Sequence, residues 1–452
     1  MRRFYLALFL CFALVNPSNA EIPSVHFDGG SSHPNQSLNP VILIPGTSRT
    51  KLSKGENGPV VWGNFHNFFN LRHRDNLALP IESTNLRENR DDLVPKSLVE
   101  KFTIIPFIFG VYTHKKFLKR MQQIGGYQLG DMDHPKPGDN FFVFLYDWRR
   151  DSEENAERLA QKIESLKSFY KQPSVKFDFI VHSSAVYMVR YYALYGGKDI
   201  LGQEKPVPTN EGAQNIRKLI FVSPPHRGTA LAFRIIHEGF RPMHLPFACF
   251  FSAYQIFTLP AFLEMIPPPG DKFFINEQGN DLDIDLYDAS NWVHYGWSVF
   301  SKKEQKYLEK KYKRIYRSSW KEELEKENKK RLRYLEAALK RAKSLHNAID
   351  EETKNISPSV ETYSFIFTAG PTLARVELSQ DGKLRFKGGP KKGPRFSQGD
   401  LIVTNASMYG RYRDENKPKE ILIHEKHRKM ANSKKLHMQL IKLVSGKEKN
   451  SL

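Results

Sequence analysis

Phe177-Asp178-Phe179-Ile180-Val181-His182-Ser183-Ser184-Ala185-Val186-Tyr187-Met188-Val189-Arg190-Tyr191-Tyr192 is the stretch on which the reading of this chain turns. The apolar run Phe177 to Val181 predicts a buried strand and Val186 to Tyr192 a helix, with Ser183 on the turn between them. Such a turn lifts a serine hydroxyl above the sheet and sets it over a helix N-terminus, where developing negative charge is favoured. The usual form is Gly-His-Ser-x-Gly. Here Val181 and Ala185 replace the two glycines, which puts side-chain bulk where the backbone is tight. The same residues that suggest an ester-hydrolysing site therefore carry the main objection to it.

Working outward, Asn39-Pro40-Val41-Ile42-Leu43-Ile44-Pro45-Gly46 reads as a short buried strand closed by a turn, and Asn140 to Asp147 as another. A helix from about Ser152 to Phe169 separates the latter from the serine strand. The serine helix ends at Gly196-Gly197, and Lys218 to Val222 follows as a strand. Apolar strands alternating with helices predict an α/β protein with a mostly parallel central sheet covered on both faces. Residues 229–357 break this rhythm and read as an inserted, largely helical cap. Glu361 to Ala369 resumes the sheet, and Arg375 to Lys387 reads as a hairpin around Asp381-Gly382. The expected division is residues 21–228 and 358–452 for the two parts of the core.

The first twenty residues are expected to lie outside the fold. Arg2 and Arg3 precede the apolar run Phe4 to Val15, and Ser18-Asn19-Ala20 offers small residues for cleavage, the layout of a secretory signal peptide. An N-terminal membrane anchor is the other reading of the same run, though it is short for a span. Export predicts a secreted or periplasmic protein. Cleavage would remove Cys11 and leave Cys249 as the only cysteine, so no internal disulfide is expected.

The 452-residue chain carries a formal charge of +20, which implies attraction to anionic surfaces. Much of the excess lies between Lys302 and Lys343, where Leu324, Leu332, Leu335 and Leu339 recur at helical spacing. This predicts one or two long amphipathic helices with a solvated charged side. No zinc-finger spacing or aromatic RNA-binding signature accompanies the charge, so nucleic acid is not the expected partner.

A nucleophilic serine needs a base, and the base an orienting carboxylate, in the chain order serine, acid, histidine. Asp400 precedes the apolar Leu401-Ile402-Val403 in the right region. His424, His427 and His437 all follow the strand-like Glu420 to Ile423. Spacing alone leaves the three open, with His427 favoured by its place on a loop before the last helix.

Several stretches in order resemble the bacterial branch of the lecithin:cholesterol acyltransferase-like α/β-hydrolases, which are also similar to lysosomal phospholipase A2. They are Pro40 to Gly46, Tyr146-Asp147-Trp148-Arg149, the serine turn with Arg190-Tyr191-Tyr192, and Ser223-Pro224-Pro225-His226-Arg227-Gly228-Thr229. Leu286-Tyr287-Asp288, Tyr295-Gly296-Trp297, Pro371 to Val376, Gly399-Asp400 and His427 with Met430 complete the set. The resemblance implies an α/β-hydrolase fold, with Ser183 as nucleophile, His427 as general base and Asp400 as its partner. It also implies an oxyanion hole from the backbone N–H groups of Thr47 and Ser184, and no cofactor or metal. His226 stands where the family often has another aromatic.

The implied activity is hydrolysis or transfer of the acyl group of a lipid ester, as in a phospholipase A or lipid acyltransferase. The Phe-rich Leu245 to Met265 and the apolar Thr103 to Val111 are expected to line an acyl pocket or touch lipid, unless they are ordinary buried structure. A basic exterior with an apolar mouth would suit an anionic membrane. The alternative from another class is a non-catalytic lipid- or protein-binding module on the same fold.

Overall fold

Four consecutive buried side chains, Val41–Ile44, open the central sheet as β1. In the computed structural model the described residues are 38–63, 77–99, 101–105, 109–112, 114–240, 251–386 and 393–446, with only the backbone described over 101–112. All belong to the unit of residues 35–452. The expected signal peptide, Cys11, Cys249, Phe247 and Phe250 lie outside the described residues.

The remaining strands of the sheet are β2 Leu129–Gly130, β3 Phe141–Val143, β4 Phe177–His182, β5 Ile216–Val222, β6 Glu361–Phe367 and β7 Lys419–Ile423. Their spatial order is β7-β6-β5-β4-β1-β3-β2, and every pairing is parallel. Register places Val181 of β4 beside Ile44 of β1 and Phe221 of β5. Successive side chains alternate between two cores, as strand geometry requires. Ile42, Ile44, Phe179, Val181 and Phe221 enter one; Val41, Leu43, Ile180 and Ile220 enter the other. Each fully buried side chain of this kind contributes roughly 1.5–3 kcal/mol.

Helix α1 spans Lys115–Gln123, and α2, Ser152–Tyr170, matches the expected helix within one residue. Asp151 caps α2, its side chain accepting from the Glu154 N–H, with Glu153 and Glu154 in the positive first turn. Helix α3, Ala185–Tyr195, is buried at every position, which fits its apolar sequence all round. It ends at Gly196, in the left-handed conformation that glycine adopts without strain.

Between β5 and β6 the described residues are mainly helical. It holds α4 Ala230–Glu238, α5 Lys302–Tyr316, α6 Trp320–Ala348 and several shorter helices. The lysine-rich region is thus two helices, broken at Arg317, whose φ is +48°. Helix α6 buries Tyr334, Leu335, Ala338, Leu339, Ala342 and Leu345 at three- and four-residue spacing, while Lys326 and Lys329 pair with Glu322 and Glu325 in solvent. The insert also contains strand Phe274–Ile275, which pairs with Asp281–Leu282 and, in parallel, with Val376–Leu378 from beyond β6. Val376–Leu378 pairs in turn with Leu384–Arg385, forming the expected hairpin. Lys101–Ile105 and Phe109–Tyr112 form a backbone hairpin over the apolar stretch near Thr103. The chain closes with α7, Lys434–Ser445. No described helix is long and apolar enough to cross a membrane.

Candidate active site

Ser183 sits at the turn from β4 into α3 with φ +56°, a left-handed backbone that costs a non-glycine residue about 1–3 kcal/mol. Its N–H donates to the Val222 carbonyl at 3.0 Å, which ties the turn to β5. The glycine that the close packing requires is supplied by the neighbouring strand end. A Cβ on Gly46 would lie 2.9 Å from the Ser183 Cβ and 3.0 Å from the His182 carbonyl oxygen. Val181 points into the core beside Ile44 and Phe221 and is absent from the wall of the cavity at Ser183. Ala185 is buried as the first residue of α3. The two replaced glycines are therefore accommodated with the serine still partly exposed.

The structure brings Ser183, His427 and Asp400 together. Ser183 Oγ is 2.9 Å from His427 Nε2, and His427 Nδ1 is 2.6 Å from Asp400 Oδ2. Asp400 is fully buried, and its Oδ1 accepts the Ile402 and Val403 N–H groups at 2.9 and 2.7 Å. Burial pushes its carboxyl up, but His427, Ser223 and the Val403 N–H outweigh burial and hold it below the ordinary carboxylate range. The His427 N–H in turn donates to the Asp400 carbonyl at 3.1 Å, fixing the loop that carries the imidazole. His424 is exposed. His437 is buried in α7, bonded to Arg120 and the Met430 carbonyl, so neither joins the group.

Thr47 and Ser184 both face the same cavity as Ser183. The Thr47 N–H donates to Ser184 Oγ at 2.9 Å, and the two hydroxyl oxygens lie 2.6 Å apart. A substrate oxygen using the Thr47 N–H has to displace that hydroxyl. The cavity, about 240 Å³, is walled chiefly by Leu231, Ile235, Phe251, Phe262, Met265 and Ile402. The Phe-rich stretch thus splits: Phe251 and Phe262 face the cavity, whereas Phe257 is core. His226 is buried against Phe221 and Tyr412, away from the cavity wall. Among the described residues, no His, Cys, Asp and Glu cluster has the make-up of a metal site.

Ser223 is the member of the site that sequence reasoning missed. Its φ is +51°, its hydroxyl donates to Asp400 Oδ2, and the same oxygen lies 2.9 Å from His427 Nδ1. The only signal for it is its place directly after β5, at the start of the Ser-Pro-Pro segment.

No family model matches the chain, and no curated protein matches it. Among solved structures it is similar to a chain of the Tle4–Tli4 complex, at 13% identity and TM-score 0.55, over 90% of this chain and 98% of that one. It also aligns with phospholipase PlaB from Legionella pneumophila at 21% identity, but over 26% of this chain and 23% of that one with TM-score 0.19, too little to bear on the fold. At such identity the Tle4 likeness speaks for architecture alone. Together with the seven-stranded parallel sheet and its flanking helices, it makes this chain an α/β-hydrolase fold.

Proposed function

We propose that the protein is an exported serine ester hydrolase or acyltransferase acting on lipid esters, of phospholipase A or lipid acyltransferase type. The observation that carries this reading is the continuous hydrogen-bonded line from Ser183 Oγ through His427 to Asp400. Ser183 Oγ attacks the ester carbonyl as its proton passes to His427 Nε2, and Asp400 steadies the resulting imidazolium. The N–H groups of Thr47 and Ser184 receive the oxyanion, each donor contributing roughly 3 kcal/mol in comparable enzymes. The carbonyl re-forms, the alcohol leaves with the proton from His427, and an acyl-serine remains. Water or an acceptor alcohol then gives its proton to His427 and releases the acyl group, restoring Ser183. The reaction so written uses only side chains and backbone N–H groups of this chain. The apolar wall of the cavity supports an acyl chain as the group bound there, and the basic exterior supports an anionic membrane as its setting.

The test is labelling of the purified protein with a fluorophosphonate and mapping of the modified peptide. Modification of Ser183, abolished in Ser183→Ala and reduced in His427→Ala, is expected. A folded protein that takes up no label, or takes it elsewhere, would sink the proposal in favour of a non-catalytic binder.

A further inference from the structure

Two guanidinium groups share the cavity with Ser183 and have no acidic counterpart among its described lining residues. Arg49 lies on the loop after β1, Arg428 directly follows His427, and both line the wall. Among the described residues that line the cavity, none is Asp or Glu. Among the described residues neither side chain forms an ion pair, and no carboxylate acts on the charge of either. Several buried or half-buried arginines elsewhere are matched by acids. Arg149 reaches Asp91 at 2.6 Å and Asp147 at 2.8 Å, Arg227 reaches Asp271 at 2.6 Å, and Arg341 reaches Asp151 at 2.6 Å.

The imbalance has an electrostatic consequence. Loss of water, then the nearby positive charge of Arg428, push the Arg49 guanidinium down to about 10. Loss of water on one side also lowers Arg428, although this residue is exposed at the mouth of the cavity. His114 is pushed down to about 3 by burial and then by the Arg49 charge, so it stays neutral and adds no further positive charge. Two like charges, partly stripped of water and lacking an acid, are relieved by an incoming anion. That anion gains Coulomb attraction and charge-assisted hydrogen bonds from two planar forks.

We propose that Arg49 and Arg428 form an anion subsite that takes the phosphodiester of a glycerophospholipid while an acyl ester of the same molecule lies at Ser183. This substrate assignment rests on the ester-hydrolase reading above. A phosphodiester offers two non-bridging oxygens only a few bonds from the ester carbonyl. A free fatty acid, by contrast, would bring its charge to Ser183 itself. The acyl chain then runs along Ile235, Phe251, Phe262 and Met265.

The test compares the wild-type protein with Arg49→Gln, Arg428→Gln and the double variant on dihexanoyl phosphatidylcholine and on uncharged p-nitrophenyl butyrate. In the double variant the ratio of phospholipid to uncharged-ester kcat/KM should fall at least about tenfold, equivalent to about 1.4 kcal/mol, with the loss mainly in KM. The Lys counterparts, Arg49→Lys with Arg428→Lys, should recover part of it. Equal losses on both substrates, or none, would overturn the subsite. A second arm does not depend on turnover: Ser183→Ala protein is titrated calorimetrically with dihexanoyl phosphatidylcholine and, separately, with inorganic phosphate. Phospholipid binding that is lost on adding the two Gln substitutions supports the subsite even where the wild type cleaves no ester, which separates its failure from that of the reaction. Phospholipid binding that survives them, or binding of inorganic phosphate alone, overturns the assignment.

Discussion

The Ser223 hydroxyl donates into a carboxylate that is already fully buried, so its removal is felt at the imidazole. Ser223→Ala should lower kcat for p-nitrophenyl butyrate about tenfold with KM little changed, the loss of roughly one hydrogen bond to a charged group. An unchanged kcat, or a loss confined to KM, would reduce Ser223 to a packing residue. Ser183 was legible because an apolar strand running into a helix marks the turn by itself. His427 was not legible from spacing, which left His424 and His437 equally open; only the loop position and the family resemblance favoured it. Ser223 and Gly46 stayed hidden because their roles depend on a backbone angle and on a close approach between strands distant in sequence. Val181 itself points into the core, and the close contact with the serine turn is met by Gly46, just past the end of β1.

Among the elements, α2 is held at its start by a residue from the insert. The Glu264 carboxylate accepts the Ser152 N–H at 3.0 and 3.1 Å and the Ser152 hydroxyl at 2.5 Å. Burial first, and then the Asp151 charge, raise its pKa to about 8. Glu264→Ala leaves a buried N–H and hydroxyl unpaired and should cost about 1–3 kcal/mol in urea unfolding. Glu264→Gln keeps an acceptor oxygen and should cost far less. Because the folded-state pKa is raised, the wild type loses stability as pH rises from about 4.5 to about 8, where the unfolded chain ionises and the buried group does not, whereas the Gln variant should lack this loss. Equal pH dependence of the two proteins between about pH 5 and 8 would refute this account. The helices were readable here because cap and periodicity agree, as at Asp151 and Ser152. The strands Phe274–Ile275 and Asp281–Leu282 were not, since two residues are too few to show an alternating pattern.

At the scale of the whole molecule, five of the buried histidines among the described residues shape the response to acid. Burial, the largest influence in each case, pushes His114 down to about 3 and His346 and His437 down to about 4, and lowers His182 and His226 well below 6.5. Below pH 6.5 the unfolded chain therefore binds protons that the folded one refuses. Stability is complete above that value and falls as pH drops toward 4, each histidine contributing on the order of 1 kcal/mol per pH unit. The urea midpoint should decline steadily between pH 6.5 and 4.5; a flat midpoint would show that these imidazoles are protonated in the folded state. The ladder joining Phe274–Ile275 to Val376–Leu378 also bears on how the insert can be handled. Its hydrogen bonds reach past the point where the insert ends, as a seam sewn through to the far cloth. Excising residues 229–357 would bare a raw edge on the part that stays, and hinging the segment outward would tear backbone pairs, so neither a detachable module nor a swinging door describes it.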